Sequence, residues 1–351
     1  MNIKRDAVTK GKSEKTTLTK YNIGLCILRI YCCYEVICCH YLKSNDSFIL
    51  AFGRSYAVPI FMLLSFVLSA DKINSADKLF LRLKRLCIPF WGWGLLYWIA
   101  YIGLSHFGLA TRPTVPQLLW QEIFGAPVNP PLWFMSNQIL LTVFVYFIIK
   151  MCKSKKLKNI VASCMIFVSL FLQYTGIASD LINSIKIENG LIATTIGRFI
   201  PMITYAMLGI LVVNNNLLSI LEKNKKVLVG IFVCLMGTII YACNTEYTIS
   251  GFGYEGVVSI ILSLCIVLLC YFVPTDKLPL KVRKVIAEMS KYTLGIYCIH
   301  IMVGVSFLNV FEKLHIEMNS IVLCCLIYLV GYLISKLIVI ATASKLEILV
   351  K

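Results

Sequence analysis

The stretch YNIGLCILRIYCCYEVICCHYL, residues 21–42, decides the fold because it is long and apolar enough to cross a membrane. A helix needs about 20 mostly apolar residues to span a bilayer. This stretch nevertheless carries three ionisable side chains, Arg29, Glu35 and His40. An ionisable group inside a membrane costs free energy, so it normally faces a partner or a cavity. The segment therefore predicts a membrane helix that also carries a function.

The rest of the chain has the composition of a polytopic membrane protein. Of its 351 residues, 59% are hydrophobic and only 15% are charged, whereas soluble domains carry about 25% charged residues. The formal net charge of +17 comes from Lys and Arg in short segments between apolar blocks, which argues against a nucleic-acid partner. The 15 cysteines lie mostly within apolar blocks and lack metal-type spacing, so no metal site is predicted.

Ten apolar blocks predict an all-α bundle of about ten membrane helices. Lys and Arg are abundant in alternate loops, and the positive-inside rule then places both termini in the cytoplasm. Residues 1–20 are expected to form a basic, disordered cytoplasmic tail, residues 21–340 the membrane domain and residues 341–351 a short cytoplasmic tail. The predicted spans are residues 21–42, 53–70, 86–106, 131–150, 159–177, 196–213, 226–243, 255–273, 293–312 and 319–340.

Arg29 and His40 lie on one stripe of the first predicted helix, together with Cys33 and Val36. Successive helical residues turn by about 100°, and the step from residue 29 to residue 40 rises by about 16 Å. With a cytoplasmic N-terminus, Arg29 lies in the inner half of the membrane and His40 near its outer end. Glu35 is rotated away by about 120° and need not face the same cavity. The structural alternative is that Arg29 snorkels to the inner interface while His40 lies unengaged near the outer one.

The third predicted helix is preceded by a pair of arginines in the stretch RLKRLCIPFWGWGLLYW, residues 82–98. Arg82 and Arg85 lie three residues apart, so they share one helix face at the predicted cytoplasmic boundary. Such a pair can be no more than the positive flank of a membrane span. Arginine also holds phosphate through a planar fork of donors, which makes the pair a candidate anion site.

Taken together, these motifs resemble the membrane-bound acyltransferase-3 family. The family has an arginine and a histidine in its first span and an R-x-x-R motif at the start of its third, and all four positions have counterparts in this chain. Three further stretches are similar to segments of the family: VPIFMLLSFVLS (58–69), PLWFMSNQILLTVFVYFI (131–148) and YTLGIYCIH (292–300). The resemblance extends over about residues 21–340, nearly the whole chain.

The resemblance implies an enzyme of the inner (cytoplasmic) membrane that moves an acyl group, commonly acetyl, onto a hydroxyl. The acceptor would be an envelope or exopolysaccharide sugar or its lipid-linked precursor. No permanently bound cofactor is implied; the expected partners are acetyl-CoA or another acyl-CoA, the glycan acceptor and membrane lipid. His40 is then expected to be the general base, since neutral imidazole can remove a hydroxyl proton. Arg82 and Arg85 would hold the donor phosphates, and Arg29 would either stabilise the oxyanion or shape the donor channel.

Three other residues are weaker candidates for substrate binding. Trp133 begins the predicted fourth span, where it could stack on a sugar ring or belong to the interfacial aromatic belt. His300 lies near mid-membrane and is either a cavity residue or a hydrogen-bonded structural histidine. Arg198 could meet an acidic or pyrophosphate-linked acceptor.

A transporter or flippase for an anionic or lipid-linked glycan is the main alternative function. It would also need Arg and His within the membrane. The lack of an internal sequence repeat and of obvious broken-helix pairs argues against it. A non-catalytic scaffold is a third class, but it leaves the stripe of Arg29 and His40 unexplained.

Overall fold

A computed structural model of the chain describes residues 22–42, 47–106, 114–116, 119, 123, 132–244 and 256–351. The regular secondary structure of this part of the chain is helical, which confirms the all-α class there. Single 3-10 turns cover Ala70–Lys72, Thr275–Lys277 and Glu347–Leu349. The α-helices are α1 (Ile23–Tyr41), α2 (Ser47–Val67), α3 (Ala76–His106), α4 (Trp133–Met151), α5 (Lys155–Tyr174), α6 (Ile177–Asn214), α7 (Leu217–Lys223), α8 (Lys225–Asn244), α9 (Val257–Phe272), α10 (Leu280–Lys291), α11 (Thr293–Lys313) and α12 (Ser320–Ala341).

Every predicted span overlaps one of these helices. Within the described ranges, seven helical segments are long and apolar enough to cross a membrane: α1, α3, α4, α5, the second half of α6, α11 and α12. Of the others, α2 has 21 residues, whereas α9 and the apolar part of α8 are shorter. The chain is thus a multi-pass helical membrane protein, and the count of ten spans stays a prediction.

The outer faces of the helices carry large apolar side chains. Leu95, Phe167 and Leu337 are 56%, 68% and 60% exposed, respectively. Large exposed apolar surfaces are uncommon on soluble proteins. These faces are therefore the surface that contacts lipid.

Helix α1 begins at a polar cap. The side chain of Asn22 accepts a hydrogen bond from the amide of Leu25 at 3.0 Å, which satisfies one of the amides that a first helical turn leaves unpaired. Its Nδ2 also donates to the carbonyl oxygen of Tyr271 in α9 at 3.0 Å. The N-terminal end of α1 is therefore fixed both by its own first turn and by a neighbouring helix.

Helix α1 lies at the centre of the bundle, packed against α2, α9, α10, α11 and α12. Near its start Arg29 contacts Thr293, and at its end Tyr41 donates to the carbonyl of Ile301. The helices approach closely at Gly304, where a Cβ atom would collide with the Tyr41 ring. Helices α1 and α11 therefore run parallel, which is the relation that the prediction of α1 as the first span and α11 as the ninth requires.

Two helices, α7 and α10, lie in segments for which the sequence predicted only basic loops. Helix α10 has 12 residues, too few to span a bilayer, so a search for apolar blocks does not detect it. It packs one side against α1, where Ala287 and Ile23 are buried together.

Labelling from outside intact cells tests the predicted orientation. Three of the Lys- and Arg-rich segments are residues 72–85, 150–158 and 277–291. Asn74→Cys, Lys156→Cys and Lys281→Cys place one thiol at an exposed position in each. A membrane-impermeant maleimide should leave them unlabelled, because these segments are predicted to be cytoplasmic. Glu317→Cys, in the charge-poor turn between α11 and α12, is the matched control and should react. The reverse pattern of labelling would show the opposite orientation.

Candidate active site

A cavity of about 470 Å³ lies between α1, α2, α3, α4 and α11. Helix α3 has 31 residues and a length of about 46 Å, which exceeds the roughly 30 Å of a hydrocarbon core. Its first turns, which carry the arginine pair, therefore extend towards one membrane surface. Among the described lining residues the charged side chains are all cations: Arg29, Arg82, Arg85 and Lys351. Such a lining suits a polyanion.

Arg82 is held in the cavity by Ser65 of α2, which is itself bonded by Gln138 of α4. Its Nη2 donates to Ser65 Oγ at 2.6 Å, and Gln138 Nε2 donates to the same oxygen. The Nε of Arg82 is buried and has no hydrogen-bond partner in the described part of the chain. A buried donor without a partner is costly, and a phosphate oxygen would satisfy it with a charge-assisted bond. Arg85, one turn further along α3, lines the same cavity and is exposed.

Arg29 enters the cavity from α1. Its Nη2 donates to Thr293 Oγ1 at 3.2 Å, and one turn later the Cys33 thiol donates to the Thr293 carbonyl at 3.5 Å. The predicted stripe on α1 thus faces α11. Glu35 is buried, at 4% exposure, and does not figure among the described lining residues. This agrees with its predicted rotation away from the stripe.

Aromatic rings form the wall of the cavity beyond these cations. Tyr297 packs between Phe61 and Phe134, with ring centroids 6.5 and 5.8 Å away, respectively. On its other side the centroid of the His300 ring lies 5.8 Å away. Helix α11 therefore carries Thr293, Tyr297 and His300 in succession, about one turn apart. These contacts lead along α11 from the cations to a histidine pair, which lies outside the described residues that line the cavity.

The histidine pair consists of His40 and His300, whose ring centroids lie 5.3 Å apart. The Nδ1 atom of His300 lies 2.5 Å from the Tyr297 carbonyl oxygen, and because a carbonyl only accepts, this nitrogen carries a proton. The Nε2 atom is buried and has no hydrogen-bond partner among the residues described. His40 is exposed in the last turn of α1. The pair thus combines one fixed, buried ring with one that a substrate can reach.

The two weaker candidates Trp133 and Arg198 also lie together. The Arg198 guanidinium carbon is 5.1 Å from the Trp133 ring centroid, a cation–π distance. Asn137, one turn along α4, donates to the Arg198 carbonyl at 3.2 Å. Neither Trp133 nor Arg198 is among the described residues that line the cavity. Their contact joins α4 to α6, and their role in acceptor binding stays a prediction.

Four polar residues of the site were not identified from the sequence: Ser65, Gln138, Thr293 and Lys351. Ser65 and Gln138 could have been identified as candidates, since both are polar residues inside predicted apolar spans. Thr293 stands at the start of such a span, where a hydroxyl is common and uninformative. The sequence did not indicate a role for Lys351 in the site, because its position depends on long-range packing.

The comparison with known families agrees with these motifs. The acyltransferase-3 family model, described as an acyltransferase domain, matches residues 22–340. Searches of curated proteins and of solved structures found no match. The matched region contains the arginine pair, the stripe of α1 and the histidine pair. This chain therefore belongs to the acyltransferase-3 family and is a multi-pass membrane acyltransferase.

Proposed function

We propose that this protein transfers an acetyl group from acetyl-CoA to a hydroxyl of an envelope or exopolysaccharide sugar, or of its lipid-linked precursor. The supporting observation is the cation-lined cavity, whose lining residue Tyr297 contacts His300 and, through it, His40. Family membership supplies the reaction class. The cavity offers a place for an anionic donor, and the histidine pair offers a base.

Acyl-CoA suits the cavity as a donor because its charge is opposite to that of the cationic lining. Coenzyme A carries phosphates at one end and its thioester at the far end of a flexible arm. Arg82 and Arg85 would bind the phosphates, each charge-assisted contact contributing about 1.5–3 kcal/mol. The arm would then extend past Arg29 and along the rings of Phe61, Phe134 and Tyr297, so that the thioester approaches the histidine pair.

His40 would act as the general base in the transfer. It removes the proton of the acceptor hydroxyl as the hydroxyl oxygen attacks the thioester carbonyl. The tetrahedral intermediate collapses with cleavage of the carbon–sulfur bond, and the departing thiolate takes up the proton from His40. His300 is a positioning residue, since its Nδ1–H is committed to the Tyr297 carbonyl and its ring packs beside His40.

Arg29 fits the donor channel better than the oxyanion site. A donor stabilises an oxyanion only when it lies about 2.7–3.1 Å from that oxygen. The oxyanion forms beside the base, and the rise along α1 from Arg29 to His40 is about 16 Å, a gap that an extended arginine side chain does not close. Arg29 also donates to Thr293 at the opposite end of the aromatic wall. Its proposed role is therefore to line the path of the donor.

The proposed reaction also suits an enzyme of the inner membrane. With the predicted orientation, Arg82 and Arg85 lie at the cytoplasmic side, where acetyl-CoA is made. His40, at the opposite end of the stripe, lies towards the side where envelope glycans are assembled. The donor would enter from one surface and the acceptor from the other.

Transfer of labelled acetyl groups tests this function. Purified protein in nanodiscs, given labelled acetyl-CoA and envelope glycan, should move the label onto the glycan. Glycans from cells without the gene should be lighter by the mass of one acetyl group per modified sugar. Unchanged glycan mass together with no transfer of label would exclude acetylation, and glycan flux across the membrane without transfer would point to a transporter.

A further inference from the structure

The residues that follow α12 fold back onto the cavity. Trp93 Nε1 in α3 donates to the Leu349 carbonyl at 2.8 Å, and the Gly295 amide in α11 donates to the Val350 carbonyl at 3.2 Å. Val350 is fully buried. The Gly295 amide belongs to the first turn of α11, where a helix leaves its amides unpaired. Residues 347–351 thus form a docked segment that accepts hydrogen bonds from both α3 and α11.

Small residues create the space for this docked segment. A Cβ atom at Gly92 would lie 2.7 Å from Leu349 Cδ2, and one at Gly295 would lie 2.8 Å from Val350 Cβ. Such separations are well inside normal contact, so the segment packs directly against both glycines. The packing is close enough to determine where the next residue, Lys351, is placed.

Lys351 is placed at the cavity together with the three arginines. Its Nζ lies 2.9 Å from Glu347 Oε1, with the side chains 22% and 42% exposed, respectively, and 5.2 Å from the centroid of the Tyr292 ring. Burial acts to lower the pKa of Lys351, but the hydrogen bond to Glu347 and the nearby charges of Tyr292, Glu347 and Glu288 together raise the pKa above its ordinary value. The ammonium group is therefore charged at neutral pH.

The contact with Glu347 leaves Lys351 available to a stronger anion. Ion pairs between partly exposed side chains contribute about 0–1 kcal/mol, so a phosphate can compete with the carboxylate. Four cations around one cavity also repel each other, and a bound polyanion relieves that repulsion. Lys351 could pair with Glu347, one turn earlier, without lining the cavity. A purely structural role therefore does not explain why Lys351 lines the cavity.

We propose that Lys351, carried into the cavity by the docked segment, is a fourth cation of the donor site and binds a phosphate of acyl-CoA. This inference rests on the proposed function, since it takes acyl-CoA as the ligand. It assigns a binding role to residues 347–351, which lie beyond the region that the family model matches. The donor site is therefore completed by a segment outside the membrane helices.

The test is the affinity for coenzyme A of purified protein in nanodiscs, measured by calorimetry. Lys351→Met keeps the apolar stem and removes the charge, and it should raise the Kd by about 10-fold, the effect of losing one charge-assisted contact. Lys351→Arg should stay within about threefold of the parent Kd, because the charge is retained. Lys345→Met, at an exposed position just before the docked segment, is the matched control and should leave the Kd unchanged.

Salt separates a charge contact from a packing effect. The difference between the parent and Lys351→Met should shrink as ionic strength rises, because salt screens a partly exposed charge. A Kd for Lys351→Met equal to that of the parent would refute the role of Lys351 while the proposed function stands. A loss of affinity that is independent of salt and is not restored by Lys351→Arg would also refute it. Failure of the parent to bind coenzyme A would remove the donor and this role together.

Discussion

His40→Gln is expected to lower the rate of acyl transfer by about 10² to 10⁴, the usual contribution of a general base. Glutamine keeps the size and polarity of the side chain but cannot take a proton near neutral pH. His40 is exposed in the last turn of α1, so the substitution should leave the core intact. Transfer of labelled acetyl groups measures the loss, while coenzyme A affinity should remain at the parent value.

The dependence of the rate on pH shows whether His40 acts as a base. A histidine base produces an acid limb in the rate profile, because protonated imidazole cannot accept the proton. The parent should show this limb, and the residual activity of His40→Gln should lack it. His106→Gln, at the exposed end of α3, is the matched control and should behave like the parent. If His40→Gln keeps nearly full activity, His40 is structural, and His300, with its unpartnered Nε2, is the remaining candidate.

Features of the site that depend on local helical geometry were predictable from the sequence. Arg29 and His40 could be placed on one stripe because the turn and rise of a helix relate any two of its residues. The same geometry indicated that Glu35 need not face the cavity, and Glu35 is not among the described residues that line it. Each of these predictions needed only one helix and no knowledge of its neighbours.

Contacts between distant segments could not be predicted in this way. That His300 lies against His40 depends on α1 and α11 running side by side, which no pattern within either helix shows. The docked segment is a stronger case, since Trp93 and Leu349 meet only after α3 and the end of the chain are brought together. The sequence analysis predicted only a short tail for residues 341–351. The burial of Val350 depends on this long-range packing and not on local hydrophobicity, so no local pattern indicates it.

Arg82→Ala is expected to raise the KM for acetyl-CoA by about 10- to 100-fold, which corresponds to the loss of about 1.5–3 kcal/mol of charge-assisted binding. The effect should be large because Ser65, itself bonded by Gln138, holds the guanidinium in place before the donor arrives. Its Nε is also a buried donor that lacks a partner in the described structure. Arg85→Ala should cost less, because Arg85 is exposed and its charge is more strongly screened.

The division of the effect between KM and kcat identifies the role of Arg82. The phosphates lie far from the reacting carbonyl, so an interaction with them is the same in the ground state and the transition state. Its loss should raise the KM for acetyl-CoA and leave kcat nearly unchanged. Arg82→Lys should recover only part of the affinity, because lysine retains the charge but lacks the planar fork of donors. Lys84→Ala, exposed on the same turn of α3, is the matched control, with an unchanged KM expected. If both Arg82→Ala and Arg85→Ala keep the KM of the parent, the two arginines do not bind the donor and only mark the cytoplasmic end of the span. A fall in kcat alone would place Arg82 at the reacting end of the donor.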